Sequence, residues 1–295
     1  MLRQHLTAVR AAATIGGARV EGAELGSRSL VFEPGGVLPG EHRFAIGSAG
    51  SVGLVLQAVL PALLTASAPS RLLLEGGTHN PWAPPYDFLE RAFLPLIGAM
   101  GPRVVAALER PGFYPAGGGR LRVEVEPAPK LAPLALAERG AITSRRARAL
   151  LSRLPDHVGR RELERLASRC GWDRRELELV PCESDGPGNA LVVEIASERL
   201  TEVFTAFGRR GIPAEAVADE AVAQLDRYLA AGVPVGEHLA DQLLVPLAVA
   251  GAGSFVTLQP SSHLTTNAAV VERFLEVKVE LEGIGPDRWR VSVAG

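Results

Sequence analysis

The sequence predicts an α+β protein of three βαβαββ repeats. The first repeat is incomplete at its N-terminus, and a small α+β domain is inserted in the third. From residue 42 to residue 126, the hydrophobic periodicity alternates between strand and helix patterns in the order βαβαββ. The same order recurs between residues 131 and 293, with an interruption, while residues 2–33 contain only αββ. Three copies of one unit account for all of these patterns.

The first two units are predicted from apolar spacing and from the Gly and Pro residues that bound each element. Gly16-Gly17 ends the opening helix, and Pro84-Pro85 precedes a helix that Gly101-Pro102 ends. The predicted elements are helix 2–16, strands 18–21 and 29–33, strand 42–46, helix 52–66, strand 71–75, helix 86–100, and strands 103–109 and 119–126.

The third unit is predicted to be split by the insertion. Its own elements are strand 131–136, helix 237–250, strand 255–259, helix 268–275, and strands 277–282 and 288–293. The inserted segment reads as strand 141–150, helix 156–170, strands 176–181, 190–196 and 202–207, and helix 214–229. We therefore predict a main domain formed by residues 1–137 and 234–295, with an inserted domain of residues 138–233.

The composition is that of an ordinary globular protein. Hydrophobic residues make up 47% of the 295 residues and charged residues 22%, and the net charge of −2 excludes a global basic field for nucleic acid. Cys170 and Cys182 are too few for a disulfide scaffold or a cysteine-based zinc site, which is typical of a reducing compartment. With no membrane-spanning run and no signal peptide in the sequence, we expect a cytoplasmic protein.

The stretch around His263 is the strongest candidate for chemistry. It lies between the predicted strand 255–259 and helix 268–275, with Thr266 or Asn267 as the expected N-cap. A histidine in a polar turn aimed at a helix start lies where free N–H groups and the helix dipole favour an anion. A neutral imidazole there could attack phosphorus and form a phosphoryl adduct. On position alone, an inert polar turn residue remains the simpler interpretation.

Two further polar features occur on helices that are otherwise apolar. His238, Asp241 and Gln242 are spaced i, i+3 and i+4 at the start of a predicted helix, so they share one side, which could bind a ribose or a divalent cation. Acidic residues in a first turn also simply complement the helix dipole. Gln57 lies among apolar neighbours on the helix 52–66, so its amide needs a partner from the backbone or from a ligand.

Two irregular loops, 78–86 and 112–119, are rich in Gly, Pro and aromatic residues. Loops of this kind shape a site or a tight chain crossing, and the sequence alone favours the structural role.

Several stretches together resemble the RNA 3′-terminal phosphate cyclase family, in the order in which that family has them. They span the whole chain, and their collinearity makes the resemblance specific. They are Arg3-Gln4-His5, Phe44-Ala-Ile-Gly-Ser-Ala-Gly-Ser51, Gly76-Gly77-Thr78-His79-Asn80, Gly112-Phe-Tyr-Pro-Ala-Gly-Gly-Gly119, Asp185-Gly-Pro-Gly-Asn189, Glu237-His-Leu-Ala-Asp-Gln242 and His263-Leu-Thr-Thr-Asn267.

The resemblance implies three βαβαββ repeats with an inserted α+β domain and an ATP-dependent, ligase-like reaction that needs a divalent cation, Mg or Mn. It implies that His263 attacks the α-phosphorus of ATP and forms a covalent histidyl–AMP. AMP would pass to an RNA 3′-terminal phosphate, and the adjacent 2′-hydroxyl would close a 2′,3′-cyclic phosphate. The positions that match the family's nucleotide contacts are Gln57, Glu237, His238, Leu239, Ala240 and Asp241.

The chain departs from the family at its beginning. Family members open with a strand and a glycine-rich turn into a helix, followed by a strand and a basic segment, whereas this sequence starts at the run Leu2-Arg-Gln-His. The resemblance is thus to an N-terminally truncated member, through a late start or a true truncation, and we expect impaired activity of the chain as written. Two alternatives remain: a catalytically impaired, cyclase-like RNA-binding protein, and a transferase of the enolpyruvyl-shikimate type.

Overall fold

The opening residues form one helix and one hairpin. The computed structural model describes all residues from 1 to 295, beginning with α1 (Arg3–Ile15), β1 (Arg19–Glu21) and β2 (Val31–Glu33). The buried residues of α1 are Leu6, Ala11 and Ile15. Ala11 and Ile15 are spaced i, i+4 and so share one helix face, and α1 packs against the next helix of the chain. β1 and β2 pair antiparallel as a separate two-stranded sheet.

The second unit contains every predicted element. Its segments are β3 (Glu41–Ala45), α2 (Val52–Leu63), β4 (Ser70–Gly76), α3 (Tyr86–Phe88), a π-helical turn (Leu89–Phe93), α4 (Leu94–Ala99), β5 (Arg103–Arg110) and β6 (Gly119–Glu126). The sheet order is β3-β4-β6-β5, with β3 parallel to β4 and the other pairs antiparallel. Strict alternation of buried and exposed residues along β6 shows that one sheet face covers the core.

Residues 142–207 form a sheet of their own, after a short strand β7 (Leu134–Leu136). The elements here are β8 (Ile142–Ser152), α5 (Asp156–Cys170), β9 (Leu177–Pro181), β10 (Gly188–Ser197), β11 (Thr201–Phe207) and α6 (Ala214–Ala231). The sheet order is β11-β10-β8-β9, and α5 packs against α6. The central strand β10 is buried over its first eight residues, because helices cover one face and the rest of the protein covers the other.

The last elements complete a sheet with β7. They are α7 (Glu237–Ala250), β12 (Ala252–Thr257), α8 (Ser262–Phe274), β13 (Lys278–Gly285) and β14 (Arg288–Ala294). The order β13-β14-β12-β7, with β7 parallel to β12, matches that of the second unit strand for strand. The predicted α+β class is confirmed, and the shared strand order supports the repeat interpretation. That α1, β1 and β2 are a third, partial copy stays a prediction.

The predicted start of the last helix is wrong. The helix α8 begins at Ser262, not at residue 268, and its N-cap is Ser261, not Thr266 or Asn267. The Ser261 hydroxyl accepts a hydrogen bond from the backbone N–H of Leu264 at 2.9 Å, which satisfies a first-turn donor. Leu264, with Ala268 and Val271, forms the buried stripe of the helix, so the apolar period starts one turn earlier than we predicted. His263 therefore lies in the first helical turn.

Two hydrophobic clusters stabilise the protein. The larger one joins 47 buried residues, most of them from residues 11–136 and 235–293, and includes Leu150, Ala190, Val192 and Val203 from the inserted segment. The smaller one, of 19 residues, lies between the sheet β8–β11 and the helices α5 and α6. One face of the inserted sheet thus contributes to the common core. No helix has both the length and the apolar character that crossing a bilayer requires.

Candidate functional site

The largest group of predicted site residues surrounds a cavity of about 470 Å³. Its walls come from α2, from the starts of α7 and α8, from the loop 81–85, and from β11 and α6 of the inserted segment. Gln57, His238, Asp241, Gln242 and His263 all line it. The fold therefore brings together, from three helices, side chains that lie up to about two hundred residues apart in the sequence.

Ser261 connects the two helix starts at this cavity. Its hydroxyl donates to Asp241 Oδ1 at 2.6 Å while it accepts from the backbone N–H of Leu264. The cap of α8 is thus hydrogen-bonded to Asp241, the fifth residue of α7, and His263 follows two residues after the cap. Because first-turn N–H groups lack partners within the helix, this end of α8 offers donors and a positive dipole end to an anion.

Asp241 is partly buried at the base of this arrangement. Burial raises the pKa of its carboxyl above the usual range, although the Ser261 hydrogen bond and the imidazoles of His238 and His263 act in the opposite direction. His238, Asp241 and His263 line the same cavity, so the carboxylate and the two imidazoles share one site. Such a carboxylate can orient a protonated imidazole or accept a proton from it.

The side chains of the other predicted nucleotide-binding residues do not line the cavity. The Glu237 carboxylate forms an ion pair with Arg227 of α6, and Glu237 does not line the cavity. Leu239 and Ala240 point into the core, with 0% and 2% of their surface exposed. Any contact of these two residues with a nucleotide would come from the backbone. Their assignment as nucleotide-binding residues stays a prediction.

The sequence did not predict that residues of the inserted segment would form one wall of the cavity. Thr205 and Phe207 of β11, Arg209 after it, and Glu220 and Gln224 of α6 all line the cavity. Nothing in their local pattern distinguishes them from other residues of an amphipathic strand and helix. The loop 78–86, in contrast, did carry a signal, since its Gly, Pro and aromatic content predicted a loop that shapes a site or a crossing.

Glu202 of β11 holds the start of α7. Its Oε2 accepts a hydrogen bond from the backbone N–H of Gly236, the N-cap of α7, at 2.7 Å. A Cβ added at Gly236 would lie only 3.0 Å from the Glu202 carboxylate, so a larger residue there would push the carboxylate away by a few tenths of an ångström. Glu202 is 2% exposed, and burial raises the pKa of its carboxyl to about 8. The inserted segment therefore helps to set the position of the helix that carries His238 and Asp241.

A buried network of polar side chains holds both ends of the loop 81–85, which lines the cavity. The His79 imidazole Nε2 donates to Asp87 Oδ2 at 2.9 Å, and Arg148 of β8 donates to Asp87 Oδ1 at 2.7 Å. Burial alone would raise the pKa of the Asp87 carboxyl, but the His79 hydrogen bond and the Arg148 guanidinium hold it below the usual value. The sequence offered no partner for His79. The network spans residues 79–87, on both sides of the loop 81–85, and ties them to β8.

The cation that the resemblance implies has no site made by protein residues alone. No group of three or more His, Cys, Asp or Glu side chains is arranged to hold a metal ion. Asp241, which lines the same cavity as His263, accepts a hydrogen bond from the Ser261 hydroxyl. The residues present therefore do not make up a metal centre.

Comparison with known proteins identifies the family. A family described as RTC, RNA 3′-terminal phosphate cyclase, matches residues 1–281. The RNA 3′-terminal phosphate cyclase of Koribacter versatilis is 51% identical over 282 residues, which is 95% of this chain and 79% of that protein. The proteins of the same name from Pseudomonas fluorescens and Ralstonia nicotianae are 53% and 52% identical over 281 and 284 residues, covering 95% and 96% of this chain and 82% and 81% of theirs. By these matches, the chain belongs to the RNA 3′-terminal phosphate cyclase family.

Proposed function

We propose that this protein converts an RNA 3′-terminal phosphate to a 2′,3′-cyclic phosphate at the expense of ATP, with His263 as the nucleophile. The observation that carries the proposal is the position of His263, in the first turn of α8 and in one cavity with Gln57 and Asp241. Family membership supplies the reaction class. The cavity volume of about 470 Å³ lies within the range of small-molecule sites.

The proposed reaction has three substitutions at phosphorus. An imidazole nitrogen of His263 attacks the α-phosphorus of ATP, so that an N–P bond forms and the bond to pyrophosphate breaks. An oxygen of the RNA 3′-phosphate then attacks the same phosphorus and releases the imidazole, which leaves AMP joined to the RNA end. Finally, the neighbouring 2′-hydroxyl attacks the terminal RNA phosphorus and expels AMP, while its proton passes to a base or to solvent.

Each nearby group has a part in this scheme. The N–H groups at the start of α8 and its dipole stabilise the negative charge on the adenylated histidine. The Asp241 carboxylate, held by Ser261, orients the imidazoles of the site and stabilises positive charge on His263 while it carries the phosphoryl group. Gln57 offers an amide donor and acceptor to the nucleotide at the wall formed by α2.

The protein residues do not form a site for the divalent cation by themselves. A cation that takes part would be bound through the phosphate oxygens that ATP itself supplies.

Incubation with ATP labelled at the α-phosphate tests the nucleophile directly. We expect an acid-labile, covalently bound AMP in the wild-type protein and none in His263→Ala, whose fold is preserved because the side chain is exposed and contributes little core area. His157→Ala is the matched control, since His157 is exposed on α5 and does not line the cavity. Undiminished label in His263→Ala would remove His263 from the mechanism. Label without RNA cyclisation would restrict the function to the adenylation half-reaction.

A further inference from the structure

Trp82 is an exposed aromatic residue at the rim of the cavity. It lines the cavity, yet 88% of its surface is accessible, the largest exposed fraction among the exposed large hydrophobic residues of the chain. Leaving a Trp ring in water forgoes the stabilisation that burying it would give. The exposure therefore calls for a reason other than folding.

The backbone at Trp82 is held in an unusual conformation. Its φ is 60°, in the left-handed region, and the other two non-glycine residues with positive φ are Arg153 and Asp287. For a bulky aromatic residue this conformation is rare and strained, and such strain clusters at ligand clamps. The ring stands in the sequence Pro81-Trp-Ala-Pro-Pro85, and the His79–Asp87–Arg148 network fixes the chain on both sides of it. The loop thus holds the ring in solvent between two points at which hydrogen bonds tie the chain to the fold.

A positively charged side chain, that of Arg209, lines the same cavity on the side of the inserted segment. Arg209 lines the cavity and is exposed, and its guanidinium makes a single hydrogen bond, at 3.3 Å, to Glu220 of α6. About half of the Arg209 side chain, 52%, is exposed to solvent. An exposed ion pair of this kind is weak, so the guanidinium is available to an incoming phosphate.

We propose that Trp82 and Arg209 form an RNA subsite, in which Trp82 stacks on the base of a nucleotide preceding the reacting 3′ end and Arg209 contacts the backbone phosphate. This inference rests on the proposed function, because it assigns the place of the RNA at the same cavity. ATP fits within a cavity of this size, whereas an RNA chain has to leave it through the rim, where Trp82 and Arg209 are exposed. Aromatic stacking combined with backbone cations is the usual way in which proteins hold single-stranded RNA without reading its sequence.

Binding of single-stranded RNA, measured without ATP, tests whether Trp82 stacks on an RNA base. The probe is a fluorescent oligonucleotide with a 3′-phosphate, together with versions that are abasic at one of the last three positions. For one abasic position we expect wild-type affinity to fall roughly 5- to 150-fold, and Trp82→Ala to lower affinity for the intact RNA by a similar factor. In Trp82→Ala the same abasic change should then have little further effect. Trp82→Phe, which keeps an aromatic face, should stay within roughly threefold of the wild type.

The control variant for this RNA-binding measurement is Phe274→Ala. Phe274 is 81% exposed at the end of α8 and does not line the cavity, so its removal should leave RNA affinity at the wild-type value. Additive losses from Trp82→Ala and from every abasic position would overturn the stacking proposal. The stacking proposal would also be overturned if Trp82→Ala left RNA affinity unchanged but raised the ATP concentration needed for half-maximal histidine labelling. That result would show that Trp82 stacks on the adenine of ATP and not on an RNA base.

The salt dependence of the same binding tests Arg209. Removing one phosphate contact lowers the slope of log affinity against log salt by about 0.7 for a single strand, which is the change we expect in Arg209→Gln. Arg210→Gln is the matched control, because Arg210 is the next residue, is exposed, and does not line the cavity. Equal slopes in the two variants would refute a specific role of Arg209. Because RNA affinity is measured without ATP, RNA binding with no labelling of His263 would refute the proposed reaction and leave the subsite standing.

Discussion

The ionisation of Glu202 should make the stability of this protein fall as pH rises. Glu202 is buried, and its folded-state pKa of about 8 lies above the ordinary value of 4.5. At low pH both the folded and the unfolded states are protonated at this group, so it adds no pH dependence. Above pH 4.5 the unfolded chain ionises first, and each further unit lowers the free energy of unfolding by about 1.4 kcal/mol until the folded-state carboxyl also ionises. The loss reaches about 3 kcal/mol at pH 7 and about 5 kcal/mol at pH 9.

Glu202→Gln isolates this effect. The amide oxygen can still accept from the Gly236 N–H, but the group no longer ionises. In urea unfolding between pH 5 and pH 9, we expect the stability of Glu202→Gln relative to the wild type to increase with pH by a few kcal/mol. Glu183→Gln, at an exposed position with no ion pair, should give a difference that does not change with pH. Parallel stability profiles of the wild type and Glu202→Gln would refute the reasoning.

Glu202→Ala tests whether Glu202 also affects the reaction of His263 with ATP. It leaves the buried N–H of Gly236 without an acceptor, which costs about 1–3 kcal/mol, and it frees the start of α7. Labelling of His263 by ATP should therefore slow in Glu202→Ala and recover in Glu202→Gln. A purely structural role would lower stability without this difference between the two variants in labelling rate.

Three further predictions concern the network, the carboxylate and the insertion. Arg148→Met should destabilise the protein by about 3–5 kcal/mol in urea unfolding, because Asp87 is left buried without its cation, whereas Arg146→Met, at an exposed ion pair on the same strand, should cost no more than about 1 kcal/mol. Asp241→Asn should slow histidine labelling by up to about 100-fold with little loss of stability, and an unchanged rate would exclude Asp241 from orienting the site. Replacing residues 138–233 by a short linker tests the proposed domain division: we expect a cooperative transition at lower urea, and aggregation would instead mark the insertion as an integral layer of the core.

The order of helices and strands was predictable because it is a local property. Apolar spacing along β6 and α6, and the glycines and prolines between elements, specify their type and approximate limits without reference to the rest of the chain. The one clear error, the start of α8, has a local cause as well. Ser261, Thr266 and Asn267 are all acceptable caps, and only the burial of Leu264 decides among them.

The site was predictable only in part. The i, i+3, i+4 spacing placed His238, Asp241 and Gln242 on one side of α7, and all three line the cavity. The same segment also suggested Leu239 and Ala240, whose side chains the helix turns into the core. Helical periodicity separates these two groups once the direction of the core is known, but motif resemblance does not, because it treats the segment as a unit.

The sequence by itself determined the α+β class, the order of the elements, the family through its collinear motifs, and the choice of His263 as the residue to test. The tertiary structure alone decided which surfaces meet: that β11 and α6 form a wall of the cavity, that Ser261 joins Asp241, and that Glu202 holds the start of α7. The physical reason is the range of each interaction. Propensity, capping and periodicity act between residues a few positions apart, whereas these contacts join residues 20 or 34 positions apart or more, whose meeting depends on how the sheets and helices pack.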